Sequence, residues 1–184
     1  MLLFLTILIV IFLLIVGYFF VGSVKPAENI DWGVVFSQKH AKYLGLDWQK
    51  TYLALLDDLR VKKVKIASYW DLIESQEDDY DFTDLDWQIN EAQKRGVEVL
   101  LAVGMKSPRW PECHIPGWAE KLGKEGQQEK IMKFLEAAIL HYRDSGAIKG
   151  WQVENEPFFI FGECPWADED FLKKEIRLIN SLDS

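Results

Sequence analysis

The sequence predicts an α/β protein that is built around a parallel sheet and is preceded by one membrane-spanning helix. Three observations lead to this prediction. The first 24 residues carry no charged side chain and are mostly apolar. Four short apolar runs then alternate with four stretches that place apolar residues at helical spacing. A strand and helix pattern that repeats in this way implies right-handed crossovers and a parallel sheet.

The apolar run at residues 2–24 is about as long as the ~20 residues that a helix needs to cross a bilayer. A cleaved signal peptide usually has a basic start and an apolar stretch of ~7–15 residues. Here no Lys or Arg precedes the run, and Val21-Gly22-Ser23 offers only a passable cleavage site. The sequence therefore favours a retained single-pass anchor (1–24), a linker (25–31) and an extracytoplasmic domain (32–184), with a cleaved signal as the alternative.

The first two units of the domain cover residues 30–96. Residues 30–37 form the first predicted strand, and Asp47 can cap a helix that runs to about residue 60. Its apolar positions at helical spacing are Tyr52, Leu55, Leu56 and Leu59. Residues 63–69 form the second strand. A helix then opens at Thr83 and ends at Gly96, and the residues on its apolar side are Leu85, Ile89 and Ala92.

The third and fourth units follow the same pattern. Residues 97–103 are nearly continuous in apolar side chains, which is typical of a parallel strand covered on both faces. A helix at 125–145 ends before Gly146, a fourth strand covers 150–155, and a last helix covers 168–182. The inward-facing residues predicted for these two helices are Ile131, Phe134, Leu135, Ala138 and Tyr142, and then Phe171, Leu172, Ile176 and Ile179.

Composition argues against one class of function. The 184 residues are 49% hydrophobic and 27% charged, which provides enough apolar material for a core. The formal net charge of −8 and the absence of a Lys/Arg cluster argue against nucleic-acid binding, which needs basic residues gathered on one face. No glycine-rich phosphate loop follows a predicted strand, so no cofactor is expected.

Polar and aromatic residues follow the predicted strands at their carboxyl ends, where parallel sheets carry their chemistry. Glu156 comes directly after the fourth strand. The other residues at this end are Tyr69, Trp70 and Asp71 after the second strand, residues 106–110 after the third, and Phe158, Phe159 and Trp166 after the fourth. We therefore expect these loops to converge on one rim.

Asn155-Glu156-Pro157 at the end of a fourth strand resembles the signature of a large clan of retaining glycoside hydrolases with (β/α)8 barrels. The clan includes family 5 cellulases and related β-galactosidases and β-xylosidases. Residues 69–86 and 104–119 are similar to its second and third loops, so the resemblance spans about residues 32–175. It implies that the domain is the first four units of a TIM barrel, the N-terminal half, acting on an oligo- or polysaccharide.

The resemblance implies that Glu156 is the general acid/base, which protonates the glycosidic oxygen and later activates water. That role needs a carboxylic acid in an apolar, partly dry setting, which Trp151, Phe158 and Phe159 could supply. Asn155 is implied to hydrogen-bond the 2-hydroxyl of the sugar. The candidates for stacking on pyranose faces are Trp70, Trp110 and Trp166.

Each assignment has a plainer alternative. Glu156 could be a solvated carboxylate at a strand end, and each of the three tryptophans could be a core residue. Glu154 is expected to be a supporting or paired residue. Lys65 stands where the clan usually has an arginine that orients the nucleophile, and a lysine offers a point charge in place of a rigid fork of donors.

A retaining hydrolase needs two carboxylates about 5–5.5 Å apart, and in this clan the nucleophile is a glutamate on the seventh strand. A full barrel takes about 250 residues, and the pattern here stops after the fourth unit. The loop acids Glu74, Glu112 and Glu163 are expected to be solvated rather than catalytic. We therefore expect the nucleophile to lie outside this sequence.

Three interpretations of this half-barrel remain open. The sequence could be a fragment whose second half carries the nucleophile, two halves could pair through the open edges of the first and fourth strands, or the half could fold alone. The last interpretation leads to the alternative function, a membrane-tethered carbohydrate-binding protein without turnover.

The two cysteines, Cys113 and Cys164, fall at the same end of neighbouring strands, so a disulfide is geometrically plausible. An exported domain would permit it, and two free thiols are the alternative. A metal site is not expected, because these cysteines and His114 are three scattered ligands. His40 and His141 are interpreted as surface residues.

Overall fold

The computed structural model describes residues 2–20, 30 and 32–183. The chain divides into two compact units, residues 1–31 and residues 32–184, and each is described by itself. The residues predicted as a cleavage site and most of those predicted as a linker lie outside the described residues.

The described part of the first unit, residues 2–20 and 30, includes the helix α1 (Leu2–Phe20), of 19 residues. Every one of its residues is uncharged, and its length and composition are sufficient to cross a membrane. A signal sequence near an N-terminus has the same properties. The choice between an anchor and a cleaved signal therefore stays a prediction.

The second unit is built on a four-stranded parallel sheet in the order β1-β2-β3-β4. The strands are β1 (Gly33–Val35), β2 (Lys63–Ala67), β3 (Glu98–Val103) and β4 (Ile148–Val153). One row of partners crosses the whole sheet through Val35, Lys65, Leu100 and Gly150. The predicted parallel sheet of four βα units is confirmed.

Six helices connect or follow the strands: α2 (Gln38–Tyr43), α3 (Trp48–Asp57), α4 (Trp70–Ile73), α5 (Thr83–Lys94), α6 (Lys124–Tyr142) and α7 (Glu169–Leu182). The short helices α2 and α4 were not predicted, because six and four residues are too few to show helical periodicity. The side chain of Ser37 caps α2 by accepting a hydrogen bond from His40 N at 3.1 Å.

The strand β4 begins and ends two residues earlier than predicted. It ends at Val153 because Glu154 adopts a left-handed backbone conformation with φ of 58°, which an extended strand cannot continue through. The residues that follow β4 therefore form a turn at the carboxyl end of the sheet, and this turn contains Asn155 and Glu156.

The helices cover one face of the sheet. The residues of β2 and β3 on that face are buried: Val64, Ile66, Val99, Leu101 and Val103. On the other face, Val35 and Leu100 are exposed beside Lys65, and a shallow cavity of about 300 Å³ crosses the strands there. The prediction that both faces of the third strand are covered holds only in part among the described residues: on this second face Leu100 is 40% exposed, whereas Ala102 is buried.

Candidate functional site

The loops after β3 and β4 concentrate unusual backbone geometry. Six non-glycine residues of the described chain have positive φ, and four of them lie in these two loops: Arg109, Glu112, Glu154 and Glu156. A side chain in the left-handed region costs of order 1–3 kcal/mol, and such residues persist where surrounding contacts hold them, often at functional sites. The two loops are therefore the part of the described unit where function is most strongly indicated.

The backbone of the β4 turn is fixed to the loop after β3. Glu154 N donates to Val103 O at 2.9 Å, and Asn155 N donates to Lys106 O at 2.7 Å. The buried ammonium of Lys106 donates to Glu156 O at 3.0 Å and to Phe159 O at 2.6 Å. These four hydrogen bonds fix the backbone of the turn and therefore the position of the Glu156 Cα atom.

Glu154 points away from the rim into the protein. Its two carboxylate oxygens accept hydrogen bonds from Met105 N at 2.7 Å and Lys106 N at 2.5 Å. The close approach requires Gly104, which has φ of 111°, because a Cβ there would lie 2.4 Å from Glu154 Oε1. The predicted supporting residue is thus a buried carboxylate that joins the two loops.

A second buried carboxyl group, that of Glu175 on α7, hydrogen-bonds to Glu154. Burial raises the pKa of Glu154, and burial together with the neighbouring Glu154 charge raises the pKa of Glu175 much further. Glu175 therefore stays protonated and donates a hydrogen bond to the Glu154 carboxylate.

Glu175 was missed in the sequence, where Ile176 was predicted to face inward. The structure shows the reverse: the buried residues of α7 are Phe171, Glu175 and Ile179, and Ile176 is 40% exposed. The sequence contained a signal for this. Phe171, Glu175 and Ile179 are spaced four residues apart and therefore share one face of the helix, so Glu175 must be buried if the two apolar residues are.

The side chain of Asn155 is held by two donors. Lys65 Nζ donates to Asn155 Oδ1 at 2.9 Å, and Gln152 Nε2 donates to the same oxygen at 3.1 Å. Burial lowers the pKa of Lys65, and the charges of Glu156 and Glu112 oppose that shift. The Lys65 ammonium therefore lies in the field of two carboxylates while it orients the amide next to Glu156.

The Glu156 side chain is exposed in the described chain. Phe158 and Phe159, predicted to enclose it, are themselves exposed. Trp151 instead donates its Nε1–H to Asp183 Oδ2 at 2.6 Å, at the end of α7. The apolar enclosure predicted for Glu156 is therefore not formed by the described residues.

The three candidate tryptophans have different environments. Trp70 is completely buried, and its Nε1–H donates to Glu74 Oε2 at 2.6 Å, so the prediction that it stacks on a sugar is wrong. Trp166 is half-buried and donates to Gln127 Oε1 at 2.7 Å. Trp110 is 60% exposed and keeps an open ring face.

Two of the three loop acids expected to be solvated are buried. Glu74 is covered together with Trp70, and it accepts a hydrogen bond from Asp78 N at 2.9 Å. Glu112 is buried under the β4 loop, and its Oε1 accepts a hydrogen bond from Arg109 N at 3.1 Å. Glu163 is exposed, as expected.

A disulfide joins the two loops. The sulfur atoms of Cys113 and Cys164 are 2.05 Å apart, and the bond closes a stretch of 51 residues. Beside it lies a polar cavity of about 500 Å³ that Asp71, His114 and Glu163 help to line. Among the described residues, no group of three His, Cys, Asp or Glu side chains is arranged to hold a metal ion.

Reduction of this disulfide is expected to lower the stability of the protein by about 3–4 kcal/mol, since closing a loop of this length restricts the unfolded chain. For a domain of this size, that corresponds to a fall in Tm of about 10 °C. Thermal unfolding with and without dithiothreitol measures it. A Cys113→Ser/Cys164→Ser variant is the control and should not respond to the reductant, whereas two titratable thiols in the untreated wild type would contradict the prediction.

Lys39 connects α2 to the loops after β2 and β3. Its ammonium forms an ion pair with Asp71 and lies 2.9 Å from His114 Nδ1. His114 is buried, and burial together with the Lys39 charge lowers its pKa to about 4. The imidazole is therefore neutral at pH 7 and presents Nδ1 as the acceptor for Lys39.

His114 is expected to make stability depend on pH below neutrality. Its pKa is about 6.5 when unfolded and about 4 when folded, so the unfolded state binds more protons between these values and stability falls as the pH falls. Between pH 7.5 and pH 5 the wild type should lose about 2 kcal/mol more than His114→Gln. Urea unfolding of both proteins at the two pH values tests this, and equal losses would contradict it.

Comparison with known proteins gives one family and several structures. A family model described as β-galactosidase (Glyco_hydro_42) matches residues 45–127. No curated protein matches the chain.

Among solved structures, the chain is similar to GH5_18 from Streptomyces cattleya in complex with GlcNAc, with a TM-score of 0.61 and 15% identity over 82% of this chain. It is also similar to xylanase 10B from Thermotoga maritima (TM-score 0.59, 18% identity, 83% of this chain) and to a β-galactosidase from Halorubrum lacusprofundi (TM-score 0.53, 20% identity, 69% of this chain). The chain spans 40%, 46% and 21% of the lengths of these three proteins.

Proposed function

We propose that this chain is part of a retaining glycosidase, because it has the fold of the N-terminal half of a glycoside hydrolase (β/α)8 barrel. In this proposal Glu156 is the general acid/base, Asn155 binds the 2-hydroxyl of the sugar, and the nucleophile comes from a second half. The substrate is an oligo- or polysaccharide. The soluble unit is extracytoplasmic and α1 holds it at the membrane.

The observation that carries the proposal is the position of Asn155 and Glu156. Their turn lies at the carboxyl end of β4, and Lys106 and the loop after β3 hold its backbone. Lys65 orients the Asn155 amide from β2. An amide that is fixed by two hydrogen-bond donors beside an accessible carboxyl group provides the pair that general acid catalysis at a glycosidic oxygen needs.

The second carboxylate is the part that the described chain does not supply. Glu112 and Glu154 are both more than nine-tenths buried, so neither carboxylate is accessible to a sugar. Both oxygens of Glu154 and one oxygen of Glu112 also accept hydrogen bonds from backbone N–H groups. The open face of the sheet exposes Val35 and Leu100, and the outer edges of β1 and β4 pair with no strand among the described residues. A second half that covers this face would bring its own carboxylate near Lys65 and would enclose Glu156.

One observation favours a second candidate function. Glu156 is exposed, so its side chain lacks, in the described chain, the enclosed apolar setting that a general acid needs. A membrane-tethered half-barrel that binds carbohydrate without turnover would need no such setting.

Two measurements separate these functions. The first is the sequence of the DNA that follows the codon for Ser184. The hydrolase proposal predicts an open reading frame there that encodes four further βα units and a glutamate at the end of the seventh strand. The second is release of the aryl group from a panel of aryl glycosides by the product of that frame. A stop codon with no nearby gene for a second half, together with no turnover by the full chain, would overturn the hydrolase proposal and favour the carbohydrate-binding protein.

A further inference from the structure

The turn after β4 continues into a short loop whose apolar side chains are exposed. Residues 157–162 carry no charged side chain. Four consecutive residues of this loop, which we call the apolar tip, are exposed, and Ile160 is exposed completely: Phe158, Phe159, Ile160 and Phe161. Single exposed apolar residues are common, whereas an exposed run of four usually has a function. The apolar tip does not enclose Glu156, so the site described above leaves it without a role.

The base of the apolar tip is fixed to the loop after β3. The Lys106 ammonium donates to Phe159 O at 2.6 Å, and Glu163 N donates to Pro111 O at 2.9 Å on the other side of the tip. The rings of Phe159 and Phe161 stack on each other, with centroids 6.1 Å apart. An apolar surface that is ordered before binding loses little conformational entropy when it binds.

The small size of the apolar tip favours a lipid bilayer as its partner. A stable protein interface buries about 800 Å² on each partner, whereas the apolar tip is four side chains of a single loop. Contact with a bilayer needs only a few adjacent apolar side chains that can enter the layer between the headgroups and the hydrocarbon, and phenylalanine and leucine-like residues commonly do so.

Charge around the apolar tip favours lipids without net charge. Glu156 and Glu163 flank the tip in sequence, and both are exposed. The whole chain carries a formal net charge of −8. An anionic lipid surface would repel these carboxylates, whereas phosphatidylcholine headgroups, which have no net charge, would not.

The length of the chain allows this contact. Residues 21–31 join α1 to the second unit, and eleven residues can span up to about 36 Å. That exceeds the length of about 20 Å that six-residue strands such as β3 and β4 have, so the carboxyl end of the sheet can reach a bilayer that α1 crosses. Because the tether makes the contact intramolecular, even a weak apolar interaction is sufficient for docking.

We propose that the apolar tip inserts into the interfacial layer of a bilayer of uncharged lipids. The carboxyl end of the sheet, which carries Glu156, then faces the membrane surface. The inference goes beyond the proposed function, because it concerns a lipid contact of the loop after β4 and requires no chemistry at Glu156.

The experiment uses the full chain in phosphatidylcholine liposomes, with a fluorophore attached to Ile160→Cys. The introduced thiol is the one that reacts, because Cys113 and Cys164 are joined in a disulfide. The label should be quenched by nitroxide-bearing lipids and protected from iodide in the water. Leu59→Cys is the matched control, because Leu59 is also an exposed aliphatic residue but precedes β2, at the amino end of the sheet. Its label should be quenched by iodide and not by the lipids.

A second variant tests the apolar origin of the contact. Phe158→Ser, combined with the labelled Ile160→Cys, is expected to lower the ratio of docked to free protein by about tenfold, which corresponds to about 1.4 kcal/mol. The loss of quenching by the nitroxide-bearing lipids measures this ratio. An unchanged ratio would contradict insertion of the tip.

Two further outcomes would overturn the docking. The first is a label at residue 160 that iodide quenches as strongly as the label at residue 59. The second is protection of residue 160 from both quenchers, which would mean that protein, a second copy or a second half, covers the tip. Both are distinguishable from failure of the proposed function. Turnover of aryl glycosides by a protein whose tip stays in water would leave the hydrolase intact, and docking without turnover would leave only the lipid contact.

Discussion

Glu175→Gln is expected to stabilise the protein at pH 8 by about 2 kcal/mol or more, while at pH 5 it should change stability little. In the wild type the folded state keeps a proton on Glu175 that the unfolded state releases, because burial and the Glu154 charge raise its pKa. An acid whose pKa is raised by folding lowers stability as the pH rises above about 4.5, its unfolded value. A glutamine amide donates to Glu154 without this penalty, so the gain should grow with pH.

The groups around Glu175 support a stabilisation by Glu175→Gln that increases with pH. The carboxylate of Glu154 faces it and accepts its hydrogen bond. Burial raises the pKa of Glu154, but the backbone N–H groups of Lys106 and Met105 donate to this carboxylate and oppose that shift, and the Lys106 charge adds a smaller effect in the same direction. These donors favour Glu154 as the charged member of the pair. Glu175→Leu removes the donor and leaves that charge buried, so it should cost about 3 kcal/mol at pH 7.

Urea unfolding at pH 5 and pH 8 measures both variants, with Glu163→Gln as the control because Glu163 is an exposed glutamate. A difference between wild type and Glu175→Gln that is the same at both pH values would contradict the shared proton. Stabilisation by Glu175→Leu would show that Glu154 does not depend on a donor from α7.

Local pattern was sufficient to predict the sheet and the place of Glu156. Apolar runs separated by helical stripes predict parallel strands wherever they occur, and the residues after a strand then fall at its carboxyl end by topology alone. The Asn155-Glu156 turn lies at that end in the structure, although its strand ends two residues earlier than predicted.

Burial of individual side chains could not be predicted in the same way, because it depends on segments distant in sequence. Trp70 is buried because Trp118 and Phe134 pack against its ring, and Glu74 is buried because it accepts the Trp70 N–H. Glu112 is covered by the loop at Gly162, 50 residues later. Each of these contacts joins two segments that are distant in sequence, and the local sequence of neither segment predicts the contact.

Glu156→Gln is expected to lower kcat/KM for aryl glycosides with poor leaving groups by about 10²–10⁴-fold, the usual contribution of a general acid. The assay uses the form of the protein that contains both carboxylates. Glycosides with strongly activated leaving groups need no proton for bond cleavage, so their first step should be slowed much less. Affinity for a disaccharide should change little, because glutamine keeps the shape of the side chain and Asn155 stays bound to Lys65.

The dependence on the leaving group separates acid catalysis from a loss of structure. A variant with a disturbed turn would lose activity on both kinds of substrate and would also bind a disaccharide more weakly. Lys106→Met provides that comparison, since the Lys106 ammonium holds Glu156 O and Phe159 O and its removal should loosen the turn without changing the acid itself. Equal losses on both substrates for Glu156→Gln, with affinity unchanged, would exclude proton donation to the leaving group by Glu156.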